Sequence, residues 1–258
     1  MLIWIQESSM SKRKNWAERL QRLRESTRRL MRQRNTIIGG SILIVLTVAA
    51  LAGPSFSPYD YNALSADFLR PPSTAHLFGT DNFGRDLFTR TLLGTRWSIA
   101  IGLATAVISG VLGTIIGLCA GYFHWLDYPL MRLMDVIMAY PALLLALAVL
   151  AALGRNIANI LVALALVYTP RTARVVRSST LSVREEAYIE AARALGIPWW
   201  RILSRHVLPN VLAPLMVQAT FVFAYGVLAE AGLSFVGVGI QPPTPSLGNI
   251  LGDARYII

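Results

Sequence analysis

The sequence predicts an all-α, polytopic helical membrane protein, and three observations carry that prediction. Of the 258 residues, 54% are apolar and only 15% are charged, against about a quarter charged in soluble domains. The charges are gathered into a few stretches, which leaves long segments without ionisable groups. A charge at the bilayer centre costs roughly 2.5 to 3.5 kcal/mol, so a membrane sorts residues in this way. Finally, the basic residues behind the net charge of +10 flank apolar runs. Nucleic acid would require them on one soluble face, so positive-inside topology accounts for them better.

The first 35 residues hold ten Lys or Arg, from Lys12 to Arg34, against Glu7, Glu18 and Glu25. They read as a cytoplasmic, basic leader, with Met1 and Met10 both candidate starts. This basic region is longer than that of a cleavable signal, so the apolar run 37–52 is predicted to be retained as a first span. Residues 53–96 form a polar connection rich in Pro and Gly, expected outside the cytoplasm. The second span, 97–123, contains no acidic, basic or His residue and is ample for the roughly 30 Å hydrocarbon core. Within it Gly113, Gly117 and Gly121 recur every four residues, which places them on one helix face open to close helix packing.

A short connection carrying His124, Asp127, Arg132 and Asp135 leads into a third span, 136–153, bent at Pro141. Arg132 and Asp135, three apart, read as a structural pair. A turn at Gly154 to Asn156 precedes a fourth span, 157–170. A second basic block, Arg171 to Arg205, holds seven Arg. The fifth span covers 211–233, and 256–258 read as the start of a sixth, truncated span. With an inside N-terminus, the inner segments hold 18 Lys and Arg and the outer segments 6. That asymmetry predicts that the leader and the second block share the cytoplasmic side.

Residues 182–209 carry helix punctuation of their own. Ser182 with Glu185 fits a capping box, Gly196 suits a left-handed helix end, and Pro198 suits the opening of a second short helix. Pro209 would end that helix before the fifth span. Ala187, Ala191 and Ala194 or Leu195 fall on one face of the first helix. From the residues alone, such a hairpin is equally a solvated amphipathic loop or a handle through which a partner moves the spans.

Three blocks then carry a resemblance. Glu190, Ala191, Ala192, Gly196, Leu208 and Pro209 resemble the coupling-loop motif of ATP-binding cassette (ABC) importer permeases, with His206 where that family usually has Ile. Gly79 to Asp86 with Arg90, Gly94, Arg96 and Ser98 forms a second block. Ala229 to Phe235 with Gly237, Gly239, Gln241, Pro242 and Pro243 forms a third. Together they look like the second permease of dipeptide, oligopeptide, nickel or glutathione importers.

The resemblance implies a type I importer transmembrane fold in a plasma membrane, the inner membrane if Gram-negative. It implies six spans per subunit, a second permease subunit, two cytoplasmic ATPases and an extracytoplasmic substrate-binding protein. It also makes Glu190, Ala191, Ala192, Gly196, Leu208 and Pro209 the ATPase-coupling residues. The chain has no phosphate loop of the form Gly, four residues, Gly, Lys, Ser or Thr. ATP and Mg are therefore expected in partner subunits, and no cofactor or catalytic residue in this one.

Gln218 and Glu230 are candidates for the substrate pathway, each with a structural reading beside it as a helix-joining amide or a buried acid. His76, His124 and His206 lie on three separate connections, so no metal site is predicted. The rival reading is a stand-alone secondary transporter or channel, which usually places paired or relay charges at mid-membrane depth. An intramembrane enzyme would need a nucleophile and base within spans that hold neither His nor Asp.

Overall fold

A computed structural model describes residues 34–255. The leader before Arg34, both candidate starts and the predicted beginning of a sixth span at 256–258 lie outside the described residues. The chain divides after Ala49 into two compact units. Helix α1, Arg34–Phe56, begins in the first, and its run 37–52 is apolar on every side, as a lipid-facing helix requires.

The second unit carries the remaining helices. They are α2 (Leu87–Tyr122), α3 (His124–Met138), α4 (Ala142–Leu153), α5 (Ile157–Arg184), α6 (Ala187–Ala194), α7 (Trp199–Ile202), α8 (Leu208–Phe235) and α9 (Leu247–Ala254). No strand forms among the described residues, only an isolated bridge between Thr80 and Asp86.

Local chemistry sets the helix ends. The Asp86 carboxylate accepts the Thr89 N–H at 2.8 Å and starts α2, so residues 87–96 of the predicted external connection belong to this helix. Asn156 caps α5 by accepting the Asn159 N–H at 2.8 Å. Ser246 and Asn249 form a reciprocal capping box on α9.

Several expected boundaries move. The fourth predicted span is part of one helix of 28 residues, with Pro170 inside it. Arg171 to Arg184 continue that helix, because falling hydropathy does not interrupt backbone hydrogen bonding. Ser182 consequently caps nothing: it lies in the last turns of α5, where its Oγ donates to the Ser178 carbonyl at 3.2 Å. Pro209 likewise ends no helix. A π-helical turn, Leu203–Val207, joins α7 to α8, and Pro209 falls in the first turn of α8, where a missing N–H matters least. The third predicted span does bend at Pro141, and sharply, for α3 and α4 meet there at 91°.

By length and composition, three helical stretches suit a membrane crossing among the described residues: Arg34–Gly53, Leu87–Tyr122 and Trp199–Phe235. The bent pair α3 and α4 makes a fourth if it is one span. The five spans read from hydropathy differ at α5, whose apolar first half runs straight into an arginine-bearing second half.

Helix α2 is the centre of the packing. A Cβ at Gly113 would stand 2.6 Å from Thr172, at Gly117 2.6 Å from Val176, and at Gly121 2.6 Å from Thr180. All three glycines therefore face α5 where the helices nearly touch. Three turns nearer the start of α2, a Cβ at Gly102 would stand 2.5 Å from Val227 of α8, and Gly226 approaches the Gly102 Cα. Lipid tails are as apolar as Leu, so close van der Waals contact of this kind holds membrane helices together. Ile101, Leu150, Ile160, Leu164, Val222 and Leu233 fill the core between these helices.

Candidate functional site

The short helices α6 and α7 form a compact unit between the long helices α5 and α8. Ala192 is the third residue from the end of α6, and its carbonyl accepts the Ile197 N–H at 3.1 Å. The Arg193 carbonyl accepts the Gly196 N–H at 2.9 Å. This pair of bonds is a Schellman closure, and it holds Gly196 at φ +73°, a region that residues with a Cβ avoid. Pro198 then precedes the first turn of α7.

The unit is anchored from within. Ile189 and Ala192 of α6 pack with Ile202, Leu203 and Val207 against Val176 of α5 and Val211 of α8. The predicted coupling residues therefore divide into two sets. Glu190, Ala191, Gly196 and Pro209 are exposed, whereas Ala192 is buried and Leu208 half-buried. Leu195, Trp199 and Trp200 extend the exposed face, at 81%, 54% and 52% accessibility. The sequence placed Leu195 on this face but left out Trp199 and Trp200, although two adjacent tryptophans after a Gly-Ile-Pro bend are a visible signal.

Arginines of α5 tie that helix to α3 and to the end of α2. Arg177 forms a two-pronged ion pair with Asp127 of α3, its Nη2 donating at 2.5 Å. Arg174 donates to Asp135 at 2.5 Å, so the predicted pairing of Arg132 with Asp135 is replaced by a contact between helices. The 91° bend and the course of α5 bring Asp135 to Arg174, a geometry that spacing along α3 does not reveal. Arg184 donates to the carbonyls of Gly121 and Tyr122, each at 3.2 Å. A cation at the end of α2 satisfies orphan carbonyls and complements the helix dipole.

Two further groups of residues face each other elsewhere. The carboxylate of Glu230, a fully buried residue, accepts from Ser98 at 2.7 Å and from Ser234 at 2.8 Å. Ser234 in turn accepts the Ile240 N–H at 3.0 Å. Before α2, Asp81 accepts from Arg85 at 2.6 Å and lies 3.8 Å from Arg90, while Arg90 donates to the Tyr61 carbonyl at 3.0 Å. The second and third sequence blocks thus meet through their own residues.

Gln218 is elsewhere, half-buried in the wall of a cavity of about 330 Å³ shared with Tyr168, Arg171, Arg174 and Tyr225. Gln218 and Glu230 therefore do not belong to one site. Among the described residues no group of three or more His, Cys, Asp or Glu is arranged to hold a metal ion.

Long apolar helices around a glycine-packed centre, with a braced hairpin between two of them, are the architecture of a polytopic helical membrane protein. Residues 109–255 match the model of the binding-protein-dependent transport system inner membrane component, and residues 21–72 match the N-terminal transmembrane domain of oligopeptide transport permease C. The chain is 49% identical over 231 residues to a protein of Brucella suis biovar 1 described as a peptide transport system permease protein, covering 89% of this chain and 78% of that one. It is 40% identical to the dipeptide transport system permease protein of Alkalihalophilus pseudofirmus, covering 91% of this chain and 78% of that one. It is also 40% identical to a glutathione transport system permease protein of Pectobacterium atrosepticum, covering 90% and 78%.

The chain belongs to the binding-protein-dependent transport system inner membrane component family, the permease subunits of ABC importers. It is a multi-pass membrane protein that works with ATPase and substrate-binding partners and is not itself an enzyme. That membership overturns the reading as a stand-alone transporter or channel.

Proposed function

We propose that this permease lines the path by which a bacterial importer moves peptides across the inner membrane, and that α6 and α7 receive the stroke of the ATPases. The observation that supports this reading most strongly is the divided face of the hairpin. One side is locked into α5 and α8 through Ile189, Ala192 and Val207, while Glu190, Ala191, Leu195 and Trp199 face outward. A partner pressing on the outward side must move both long helices. Alternating access follows if those helices have two packed arrangements, biased by nucleotide in the partners.

In the full assembly a second permease completes the pathway, two cytoplasmic ATPases hold ATP and Mg, and an extracytoplasmic binding protein delivers cargo. The basic leader 1–35 lies in the cytoplasm, and 36–258 form the transmembrane permease domain. The first half of α5 crosses the membrane as a further span. The peptide assignment draws on the relatives, a peptide transport and a dipeptide transport permease protein.

Cysteine crosslinking tests the contact. In a Cys119→Ala background, Ala191→Cys should crosslink to an ATPase subunit, and the crosslink should block ATP-driven uptake of dialanine into proteoliposomes until it is reduced. Failure of Ala191→Cys to reach an ATPase in an assembled complex active in uptake would remove the hairpin from the coupling role.

A further inference from the structure

Helix α5 carries a ladder of arginines at 171, 174 and 177, spaced to lie along one side of the helix. Two rungs are occupied by acids, Arg174 by Asp135 and Arg177 by Asp127. The third is not. Among the described residues no carboxylate lies within ion-pair distance of Arg171, and its guanidinium stands 5.8 Å from the centre of the Tyr225 ring. Met138, the α3 residue in the same cavity wall, is apolar and offers no counter-charge.

Arg171 is exposed, about 14 residues into α5, where the apolar half of that helix gives way to its arginine-bearing half. An arginine beside a span commonly faces a water-filled cavity and marks an ion or substrate pathway. Here the cavity exists, at about 330 Å³, within the range of small-molecule pockets. Gln218 supplies an amide beside the guanidinium, and Tyr168 and Tyr225 are stacked, 6.4 Å apart.

We infer that Arg171 is a cargo-binding residue: it receives the free carboxylate of a peptide passing through this cavity, with Gln218 beside it. The inference rests on the reading of the chain as a peptide pathway. A guanidinium fork matches a carboxylate with two parallel hydrogen bonds, and the Tyr225 ring holds the cation in place between passages. With Asp135 neutralising Arg174, the wall keeps one positive charge that no carboxylate among the described residues pairs, which suits transient capture of one anionic group. A lipid phosphate offers the same chemistry, so the experiment must separate the two.

The test uses the complete importer, with its partner permease, ATPases and binding protein, in proteoliposomes. Import of dialanine is compared with import of dialanine amide, both at concentrations that saturate the binding protein. Relative to wild type, Arg171→Gln should lower dialanine import roughly tenfold or more beyond its effect on amide import, because the two charge-assisted hydrogen bonds to the carboxylate are lost. Arg171→Lys should recover part of the difference. Tyr225→Leu, an independent variant, should reduce the same preference by a smaller factor.

Equal losses for both probes, or no loss for either, would overturn the assignment. A preference lost only in vesicles containing phosphatidylglycerol, and kept in pure phosphatidylcholine, would give the site to a lipid headgroup. Wild-type complex that imports neither probe would overturn the peptide reading itself and the cargo assigned here with it, a result distinguishable because it appears without any mutation.

Discussion

Ser98 in α2 donates a 2.7 Å hydrogen bond to the carboxylate of Glu230 in α8, a partner 132 residues further along the chain. Ser234 donates to the other carboxyl oxygen at 2.8 Å, so one buried carboxyl group is shared by two hydroxyls and fixes the crossing of the two helices. Glu230→Leu would leave both hydroxyls without their acceptor, at about 1 to 3 kcal/mol for each group left unsatisfied. In detergent, the melting temperature of the complex should fall in the order wild type, Glu230→Gln, Glu230→Leu. A Glu230→Leu complex that melts normally and yet fails to import would make Glu230 a cargo contact and not a structural tie.

The glycine face of α2 supports a sharper contrast. Gly117→Leu forces a side chain into the Ala173 carbonyl and Val176, both 2.6 Å from its Cβ position, and overpacking of this kind costs roughly 1 to 3 kcal/mol or more. Gly110, on the same helix, has nothing within 4 Å of a Cβ. Gly110→Ala should express and melt like wild type, while Gly117→Leu should lose assembled complex on size-exclusion chromatography. Equal behaviour of the two variants would refute close packing at this seam.

At Gly196 the constraint is backbone conformation alone. A Cβ there would meet nothing within 4 Å, but φ is +73°. Asn, which tolerates this region, should be accepted, while Gly196→Val carries about 1 to 2 kcal/mol of strain. Relief of that strain tilts α6 away from its seat. Gly196→Val complexes should therefore reach the membrane and bind loaded binding protein without the usual stimulation of ATP hydrolysis. Normal import by Gly196→Val would exclude the hairpin as the coupling element.

The pair Asp127 and Arg177 lends itself to a charge swap. Both side chains are partly exposed, at 24% and 32%, so their coupling should be modest, on the order of 0.5 to 1 kcal/mol. Asp127→Arg alone should lower the melting temperature, and Asp127→Arg with Arg177→Asp should recover most of the loss. A double swap no more stable than the single variants would show that the contact contributes nothing to α3 and α5 packing.

Topology is open to chemical labelling. In a Cys119→Ala background, Ala66→Cys should react with an impermeant thiol reagent applied to intact spheroplasts, and Ser182→Cys only after the membrane is broken. Both positions are exposed in the folded chain, so burial does not protect either. The opposite pattern would invert the assigned orientation.

Much of the hairpin was legible because its signals are local. Gly196, Pro198 and the Ala-rich turn obey rules that act within five residues, and the bend forms where those rules put it. The misread boundaries have two causes. Arg171 looks like the end of a span and Pro209 like the end of a helix, but α5 continues because its backbone hydrogen bonds are indifferent to side-chain charge. Pro209 is absorbed by the π-helical turn ahead of it. Ser182 and Glu185 matched a capping pattern only because α5 was expected to have ended already.

Residence in the membrane, the all-helical class, the family and the glycine face of α2 were all determined by the sequence itself, because composition and a four-residue period are properties of a single line of residues. Which arginine meets which acid was decided only by the tertiary structure. Asp135 turns to Arg174 and not to Arg132, Glu230 closes on Ser98, and Arg171 is left facing a cavity. Those outcomes depend on where helices cross and how sharply α3 and α4 bend. A crossing point is set by the packing of two surfaces far apart in the chain, so no local pattern encodes it.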